Sequence, residues 1–217
     1  MISYPRILPV GEAAFTVEFG DRVDPALVAR VHALDAMLTS APPRGFVEAV
    51  PTYRALLVRY EPHLTDAAAL RADLAARLDV LDEVPQPEGR LVEIPVRYGG
   101  EHGPDLETVA EYHQLTSTEV VRLHTAPTYR VAMLGFAPGF AYLLGLDPRL
   151  ATPRLSVPRT RVPAGSVGIA GEQTGVYALS TPGGWRVLGH TELPLFDSER
   201  EDPFTLRAGD RVRFLEA

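Results

Sequence analysis

The sequence contains no cysteine, no lysine and no asparagine, and all 21 of its basic residues are arginine. The absence of cysteine excludes disulfides, thiolate zinc sites and a cysteine nucleophile. The absence of lysine excludes Schiff-base chemistry, attachment of pyridoxal phosphate and the lysine of a P-loop. Any catalysis by this chain must therefore use arginine, histidine, carboxylate, amide or hydroxyl groups.

Long apolar runs are absent as well, since no segment approaches the roughly 20 residues that span a bilayer. The first ten residues lack the basic and apolar regions of a secretory signal. A net charge of −7 and an isoelectric point near 5.4 oppose general affinity for nucleic acid, whose phosphates require cations. We expect a cytoplasmic protein that binds neither membranes nor nucleic acid.

Residues 1–84 predict a small α+β domain. Asp24 and Pro25 supply an N-cap and a first-turn proline for an amphipathic helix, and a second helix begins near Thr65. A strand near residues 91–96 is available to complete the sheet of this domain. The prolines and glycine of residues 83–89 indicate a linker. The other predicted strands are 6–10, 14–19, 46–50 and 55–60.

Residues 90–217 predict two short helices, 105–114 and 117–124, followed by an all-β domain. Short strands separated by glycine or proline are typical of a barrel or a sandwich. The helix pair has the spacing of a helix-turn-helix, but its four acidic residues and one arginine oppose phosphate binding. The predicted strands are 129–134, 167–170, 176–179, 185–188 and 211–215.

The segment 135–191 differs in composition from the rest of the chain. It holds ten of the 18 glycines and carries five arginines against two acidic residues. A positive, glycine-rich segment on an acidic chain indicates a site for a small anion, either carboxylate or phosphate. Tight barrel corners and solvated arginines would explain the same composition. The five arginines are Arg149, Arg154, Arg159, Arg161 and Arg186.

Three strings in this segment carry a specific resemblance. They are GFAPGFAYL at 135–143, PRTRVPAGSVGIAGEQTGVY at 158–177 and TPGGWRVLGHTELPLFD at 181–197. Together they closely resemble the family that includes the B-type subunits of 5-oxoprolinase, the kinase inhibitor KipI and allophanate hydrolase subunit 1. The likeness extends to IPVRYGG at 94–100, to RAGDRVRFL at 207–215 and into the first domain, so it covers nearly the whole chain.

The resemblance implies a ferredoxin-like first domain and a cyclophilin-like β-barrel as the second. It also implies a C-type partner subunit, similar to allophanate hydrolase subunit 2, and an A-type subunit. A complex of this kind opens 5-oxoproline, a small anionic lactam, to glutamate with ATP as co-substrate. Because this chain contains no complete nucleotide motif, we expect the isolated subunit to be inactive.

Lactam opening requires an anchor for the substrate carboxylate, neutralisation of phosphate charge and hydrogen bonds to the amide. Arg159 and Arg161 suit the first two roles, because guanidinium binds oxyanions bidentately and alternate strand positions point the same way. Gly165 and Ser166 are predicted to present a backbone N–H and a hydroxyl to an oxyanion. The Ser166 context is not that of a nucleophile elbow, since Gly165 directly precedes it.

Two histidines, His124 and His190, lie within the matched strings and are the candidate acid–base groups. The alternative is that each is an ordinary structural histidine. The other four histidines show no metal-ligand spacing, so we expect no bound transition metal.

Further ligand contacts are predicted along the same strings. The loop at 135–140 is expected to approach a ligand or a partner barrel, and residues 173–177 to supply hydrogen bonds at a turn. Trp185 is either a core residue or a platform for a ligand. The predicted substrate-binding residues are Phe136, Pro138, Gly139, Phe140, Gly165, Gln173, Thr174, Tyr177, Gly183, Gly184 and Trp185.

The leading hypothesis is the B-type subunit of an ATP-dependent 5-oxoprolinase, a hydrolase that acts on a cyclic amide. A KipI-like inhibitor of a sensor histidine kinase is an alternative from another functional class, and the shared fold does not discriminate the two. Allophanate hydrolase subunit 1 is a third hypothesis, but that activity normally accompanies an amidase domain for which this chain has no room.

Overall fold

The computed structural model describes residues 3–83 and 88–217. The chain divides into two compact units, Met1–Glu88 and Gly89–Ala217. Residues 84–87 of the predicted linker lie outside the described residues. Among the residues described, no helix combines the length and apolar character needed to cross a membrane.

The first unit is a four-stranded antiparallel sheet with two helices. Its sheet has the strand order β1-β2-β4-β3. A short 3₁₀ turn, Leu81–Glu83, follows the second helix. The elements are β1 (Arg6–Val10), β2 (Ala14–Glu18), α1 (Pro25–Ser40), β3 (Phe46–Pro51), β4 (Ala55–Tyr60) and α2 (Ala67–Val80).

Local sequence signals explain where these helices begin. Asp24 precedes the Pro25 of α1, and its side chain accepts a hydrogen bond from the Ala26 N–H at 2.9 Å. Asp66 caps α2 in the same way through the Ala69 N–H at 2.7 Å. Each cap satisfies a backbone donor that the first helical turn leaves free. The apolar faces of both helices then pack on the sheet to form one core.

The second unit begins with a strand and two short helices and continues almost entirely in β-structure. A 3₁₀ turn, Pro148–Leu150, interrupts the β-structure. The helices are α3 (Leu106–His113) and α4 (Ser117–Thr125). The strands are β5 (Leu91–Tyr98), β6 (Tyr129–Leu134), β7 (Ala141–Leu144), β8 (Arg159–Val162), β9 (Ser166–Ala170), β10 (Gln173–Val176), β11 (Thr181–Gly183), β12 (Arg186–His190) and β13 (Arg211–Glu216).

Seven of these strands close a barrel in the order β10-β7-β6-β13-β5-β12-β9. The pair β5–β13 is parallel, whereas the other neighbours are antiparallel. The remaining strands, β8 and β11, form a separate two-stranded sheet. The α+β character of the chain and its β-barrel therefore agree with the prediction.

Three details of the second unit differ from the prediction. The strand near residues 91–96 does not complete the first sheet, because β5 pairs with β12 and β13 of the barrel. The strand expected at 176–179 is instead β10, which ends at Val176. The short strands β7, β8 and β11 were not predicted, since four or fewer residues carry too little periodicity to detect.

Candidate functional site

An aromatic pocket of about 210 Å³ lies in the second unit, between the barrel and the two-stranded sheet. Phe136, Arg154 and Pro158 of its lining are exposed, so it is open to a ligand from solvent. Its aromatic side chains come from the 136–142 segment, from the end of β10 and from the start of β12. The lining residues are Phe136, Phe140, Tyr142, Arg154, Pro158, Tyr177, Pro182, Gly183, Gly184 and Trp185.

The floor of the pocket is a cluster of rings packed edge to face. The Phe140 ring centroid lies 5.1 Å from that of Tyr177 and 5.3 Å from that of Trp185. Two glycines make this packing possible. A Cβ at Gly175 would lie 3.1 Å from the Trp185 ring, and one at Gly183 would collide with the Tyr177 hydroxyl. The Phe140, Tyr177 and Trp185 rings are buried and present apolar surface to the pocket.

Phe136 lies at the mouth of the pocket in an unfavourable backbone conformation. Its φ is 67°, and the residue is 63% exposed. A bulky residue at positive φ costs about 1–3 kcal/mol, and such strain clusters at ligand-binding sites. Because the exposed ring regains little of this cost by burial, its position is more readily explained by a ligand contact than by packing.

Arg154 is the cation of the pocket. It is exposed, and among residues 3–83 and 88–217 it has no hydrogen-bond or ion-pair partner. Burial raises the pKa of both Tyr142 and Tyr177, and the charge of Arg154 acts in the opposite direction on both hydroxyls. Its guanidinium is therefore near the two phenols and free to bind an anion, while both phenols stay protonated.

Arg159 and Arg161 lie on β8, as alternate positions of a strand, but neither lines the pocket. Arg159 donates two hydrogen bonds of 2.9 Å to the carboxylate of Asp105. Arg161 is exposed, and its Nε donates to Ser180 Oγ at 3.0 Å. The Arg159 guanidinium is thus already occupied by a carboxylate of the same chain, which the sequence prediction did not anticipate.

The backbone N–H groups predicted to form an oxyanion site at Gly165 and Ser166 already donate within the chain. The Gly165 N–H donates to Tyr177 O at 2.7 Å, and the Ser166 N–H donates to Pro163 O at 3.3 Å. Ser166 is buried on β9. Gly165 has φ +83°, and a Cβ there would collide with Thr191 O. Glycine is needed at 165 for a close chain crossing, and both backbone N–H groups already have partners within the chain.

The acid–base role predicted for His124 does not fit the structure, because His124 is completely buried inside the barrel and does not line the pocket. Its Nδ1 lies 2.7 Å from Tyr98 Oη, and its Nε2 lies 2.9 Å from Thr174 Oγ1. Burial lowers the pKa of His124 to about 3. A neutral, enclosed imidazole of this kind has no route to a substrate proton.

His190 lies at the end of β12, outside the aromatic pocket. Its Nε2 is 2.9 Å from Ala164 O, and its ring centroid is 6.0 Å from that of His102. It lines a separate shallow groove beside Arg97 and Leu193. The structure therefore does not bring His190 together with the aromatic pocket.

Six of the eleven predicted substrate-binding residues line the pocket: Phe136, Phe140, Tyr177, Gly183, Gly184 and Trp185. Pro138, Gly139, Gln173 and Thr174 do not, and neither does Gly165. Gly139 has φ 77°, and a Cβ there would lie 2.7 Å from Phe196 Cβ, so its role is to permit a close approach of two segments. Thr174 is buried against His124.

Sequence reasoning missed four residues of the pocket: Tyr142, Arg154, Pro158 and Pro182. Arg154 was identified only as one of five arginines in the positive segment. No sequence signal distinguishes it from its neighbours, because its lack of an acidic partner is a property of the fold. Within the described residues, no group of three or more His, Cys, Asp or Glu residues could hold a metal ion.

Comparison with known proteins supplies the family context of this pocket. Residues 5–206 match the family described as carboxyltransferase domain, subdomain C and D. The chain is 44% identical to the B-type 5-oxoprolinase subunit of Bacillus subtilis strain 168, over 97% of this chain and 92% of that protein. It is 46% identical to the corresponding B-type 5-oxoprolinase subunit of Escherichia coli O157:H7, over 97% and 95% of the two chains.

A solved structure is similar over most of the chain as well. The crystal structure of TTHA0988 superposes with a TM-score of 0.81 at 45% sequence identity. The match covers 94% of this chain but 40% of the TTHA0988 chain, so that protein carries additional polypeptide.

Proposed function

Because this chain belongs to the carboxyltransferase subdomain C and D family, together with the B-type subunits of 5-oxoprolinase, we propose that it is the B-type subunit of an ATP-dependent 5-oxoprolinase. The complex converts 5-oxo-L-proline, ATP and water to L-glutamate, ADP and phosphate. It includes a C-type and an A-type partner subunit, and the isolated chain is inactive. A cytoplasmic location would supply the ATP that the reaction consumes.

One observation carries the assignment of the substrate to this chain: an unpaired arginine stands beside a small aromatic pocket. 5-Oxoproline is a five-membered lactam with one carboxylate. Arg154 would bind that carboxylate, and the rings of Phe136, Phe140 and Trp185 would contact the faces of the lactam. The neutral hydroxyl of Tyr177 is a donor for the lactam carbonyl.

The chemistry divides between this pocket and the partner subunits. ATP transfers its terminal phosphoryl group to the lactam carbonyl oxygen, and ADP leaves. Water then adds to the activated carbon, and the C–N bond breaks as the nitrogen gains a proton, which leaves a glutamyl phosphate. A second water cleaves this acyl phosphate to glutamate and phosphate. A pocket of about 210 Å³ is smaller than ordinary sites for drug-sized ligands, which supports a lactam but not a nucleotide in this site. The ATP site then belongs mainly to a partner subunit.

The test is ADP release that depends on 5-oxoproline, measured with the chain alone and mixed with its C-type and A-type partners. We expect ADP release and glutamate formation only in the mixture. Turnover by the isolated chain would contradict the shared site. If the assembled mixture shows no turnover, the enzyme assignment is wrong.

Arg154→Gln tests the anion anchor in the same assay. Loss of a charged hydrogen bond costs about 1.5–3 kcal/mol, so we expect the KM for 5-oxoproline to rise about 10-fold to 100-fold. Arg200→Gln, an exposed position outside the pocket, is the matched control and should behave as wild type. Arg161→Gln tests the rival anchor predicted from the sequence. A wild-type KM for Arg154→Gln together with a raised KM for Arg161→Gln would show that Arg161 on β8, and not Arg154, binds the substrate carboxylate.

The finer description of the fold is also a proposal. The first unit has the element order β-β-α-β-β-α. Moving β1 from the start to the end of this order produces β-α-β-β-α-β, the ferredoxin-like order. We therefore propose a permuted ferredoxin-like domain over residues 1–84 and a cyclophilin-like barrel over residues 90–217.

A further inference from the structure

The two-stranded sheet β8–β11 forms one wall of the aromatic pocket. Four residues of the pocket lining belong to this sheet or lie next to it. Pro182 and Gly183 are in β11, Gly184 directly follows β11, and Pro158 directly precedes β8. This sheet does not join the hydrogen-bonded ring of the barrel strands. Its position over the pocket must therefore be held by other contacts.

Asp105, at the start of α3, supplies the charged contact that holds this wall. Its two carboxylate oxygens accept one hydrogen bond each, both 2.9 Å, from the guanidinium of Arg159. Oδ2 also accepts the backbone N–H of Val187 on β12 at 2.7 Å. Asp105 is 5% exposed, so these bonds lie in a largely dry environment where they are strong.

The contacts of Asp105 connect the barrel directly to the pocket wall. Val187 belongs to barrel strand β12, two residues after the Trp185 that lines the pocket. Arg159 belongs to β8 and is the register partner of Gly183 in the wall. The carboxylate therefore ties the strand that follows the indole to the sheet that faces it.

We infer that Asp105 is a positioning residue, which holds Arg159 and through it the β8–β11 wall at the distance that the substrate requires. This inference rests on the proposed function, because the substrate is taken to bind in the aromatic pocket. Asp105 does not itself line that pocket, so it acts through the wall rather than on the substrate.

The structure contains a matched control for the loss of a buried aspartate. Asp210 is also buried, is paired with an arginine through two bonds from Arg90, and accepts a backbone N–H from Arg207. Neither Asp210 nor Arg90 lines the aromatic pocket. Asp105→Asn and Asp210→Asn therefore remove similar interactions, and only the first touches the pocket wall.

The first measurement needs no ligand, because Trp185 is the single tryptophan of the chain and lines the pocket. We expect Asp105→Asn to increase acrylamide quenching of Trp185 fluorescence, with an unchanged far-ultraviolet circular dichroism spectrum. Asp210→Asn should leave the quenching at the wild-type value. Equal quenching in wild type and Asp105→Asn, or equal increases in both variants, would overturn the inference.

The second measurement is the KM for 5-oxoproline in the assembled complex. We expect Asp105→Asn to raise KM about 10-fold, as for the loss of a charged hydrogen bond, while kcat changes much less. If Arg159 instead bound the substrate directly, releasing it from Asp105 would leave KM unchanged or lower it, and that result would overturn the inference.

The double variant Asp105→Asn/Arg159→Gln removes both charges and so avoids leaving one buried and unpaired. A positioning pair predicts that its KM is no higher than that of Asp105→Asn alone, because both changes disable one contact. If the KM increases of the two single variants multiplied in the double variant, that result would contradict a positioning role. If Asp105→Asn increases quenching but wild-type Trp185 does not respond to 5-oxoproline, and the complex does not turn it over, the wall assignment stands and the proposed substrate fails.

Discussion

His124 lies entirely inside the barrel, where hydrogen bonds fix its ring and its tautomer. Thr174 Oγ1 donates to Gly168 O at 3.0 Å, so it accepts the proton of His124 Nε2. His124 Nδ1 then carries no proton and accepts the hydroxyl of Tyr98. The ring also stacks on Phe214, with 4.6 Å between centroids. Every polar atom of the imidazole is used while the ring is neutral, so protonation would break this network.

The buried imidazole predicts a pH dependence of stability. Burial lowers the pKa of His124 to about 3, against 6.5 for an ordinary histidine. Between these values the unfolded chain binds a proton at this site and the folded chain does not. The free energy of unfolding therefore falls as pH decreases, and at pH 5 this group removes about 2 kcal/mol relative to pH 7.5.

Urea denaturation of wild type and His124→Gln at pH 7.5 and pH 5 measures this effect. Glutamine does not titrate, so we expect a smaller loss of stability at pH 5 in the variant. Burial raises the pKa of Asp35 to about 6, which contributes an opposite slope, but Asp35 is present in both proteins and cancels. Parallel pH dependences of the two proteins would contradict the assignment.

Single residues of the site were predictable only where a local string marked them. The glycines and aromatics of the GFAPGF and TPGGW strings lead directly to Phe136, Phe140, Gly183, Gly184 and Trp185. The sequence favoured Arg159 over Arg154, because Arg159 alternates with Arg161 in a possible strand and Arg154 has no such partner. Arg159 is paired with a carboxylate 54 residues away, and no local pattern records such a contact.

At the scale of elements, the helix α4 begins at a complete capping box. The Glu119 N–H donates to Thr116 Oγ1 at 3.2 Å, and the Thr116 N–H donates to Glu119 Oε2 at 2.8 Å. Backbone and side-chain hydrogen bonds from Thr116 lower the pKa of Glu119. The inner face of α4 is buried in the barrel core, so fraying of its first turn would loosen that core.

Thr116→Ala tests the contribution of this cap. The variant leaves first-turn donors unsatisfied, and we expect it to lower the free energy of unfolding by about 1 kcal/mol, within a range of about 0.5–2 kcal/mol. Thr118→Ala, two residues on at an exposed position of the same helix, should change it by less than about 0.5 kcal/mol. Urea denaturation of the three proteins at one pH is the measurement. Equal stabilities of the two variants would show that the cap contributes nothing.

Elements with strong local signals were predictable, and those defined by their partners were not. The strand at 129–134 and the starts of α1 and α2 follow from periodicity and capping residues. The membership of β5 did not follow, because its run of alternating residues is equally suited to either sheet. Its pairing with β13 joins residues far apart in the sequence, such as Leu91 and Arg211. Tertiary packing therefore decides which of the two sheets β5 joins.

At the scale of the whole molecule, each compact unit contains its own apolar core. The first unit is built around Val31, Leu34, Leu56 and neighbouring residues, and the barrel around a separate and larger cluster. The aromatic pocket and its ring cluster lie entirely within the second unit. The second unit therefore contains every residue assigned to the substrate in this chain.

This division predicts that residues 89–217 fold by themselves and retain the pocket. We expect the fragment to show a cooperative thermal transition and the same Trp185 emission maximum and acrylamide quenching as the full chain. A fragment of residues 3–83 in the same buffer is a suitable comparison for independent folding of the first unit. An unfolded second fragment, or one with fully quenched Trp185, would show that the pocket needs more than its own unit.

The sequence by itself determined the family, the chemical groups available, the helix starts and the segment that contains the pocket. These properties depend on residues close together in the chain, such as caps, turn glycines and long specific strings. The tertiary structure decided which pocket arginine has no acidic partner, which histidine is fully buried and which strands close the barrel. The physical reason is that pairing and burial depend on neighbours in space, and the stretch between Asp105 and Arg159, which lie 54 positions apart, carries no sign of their contact.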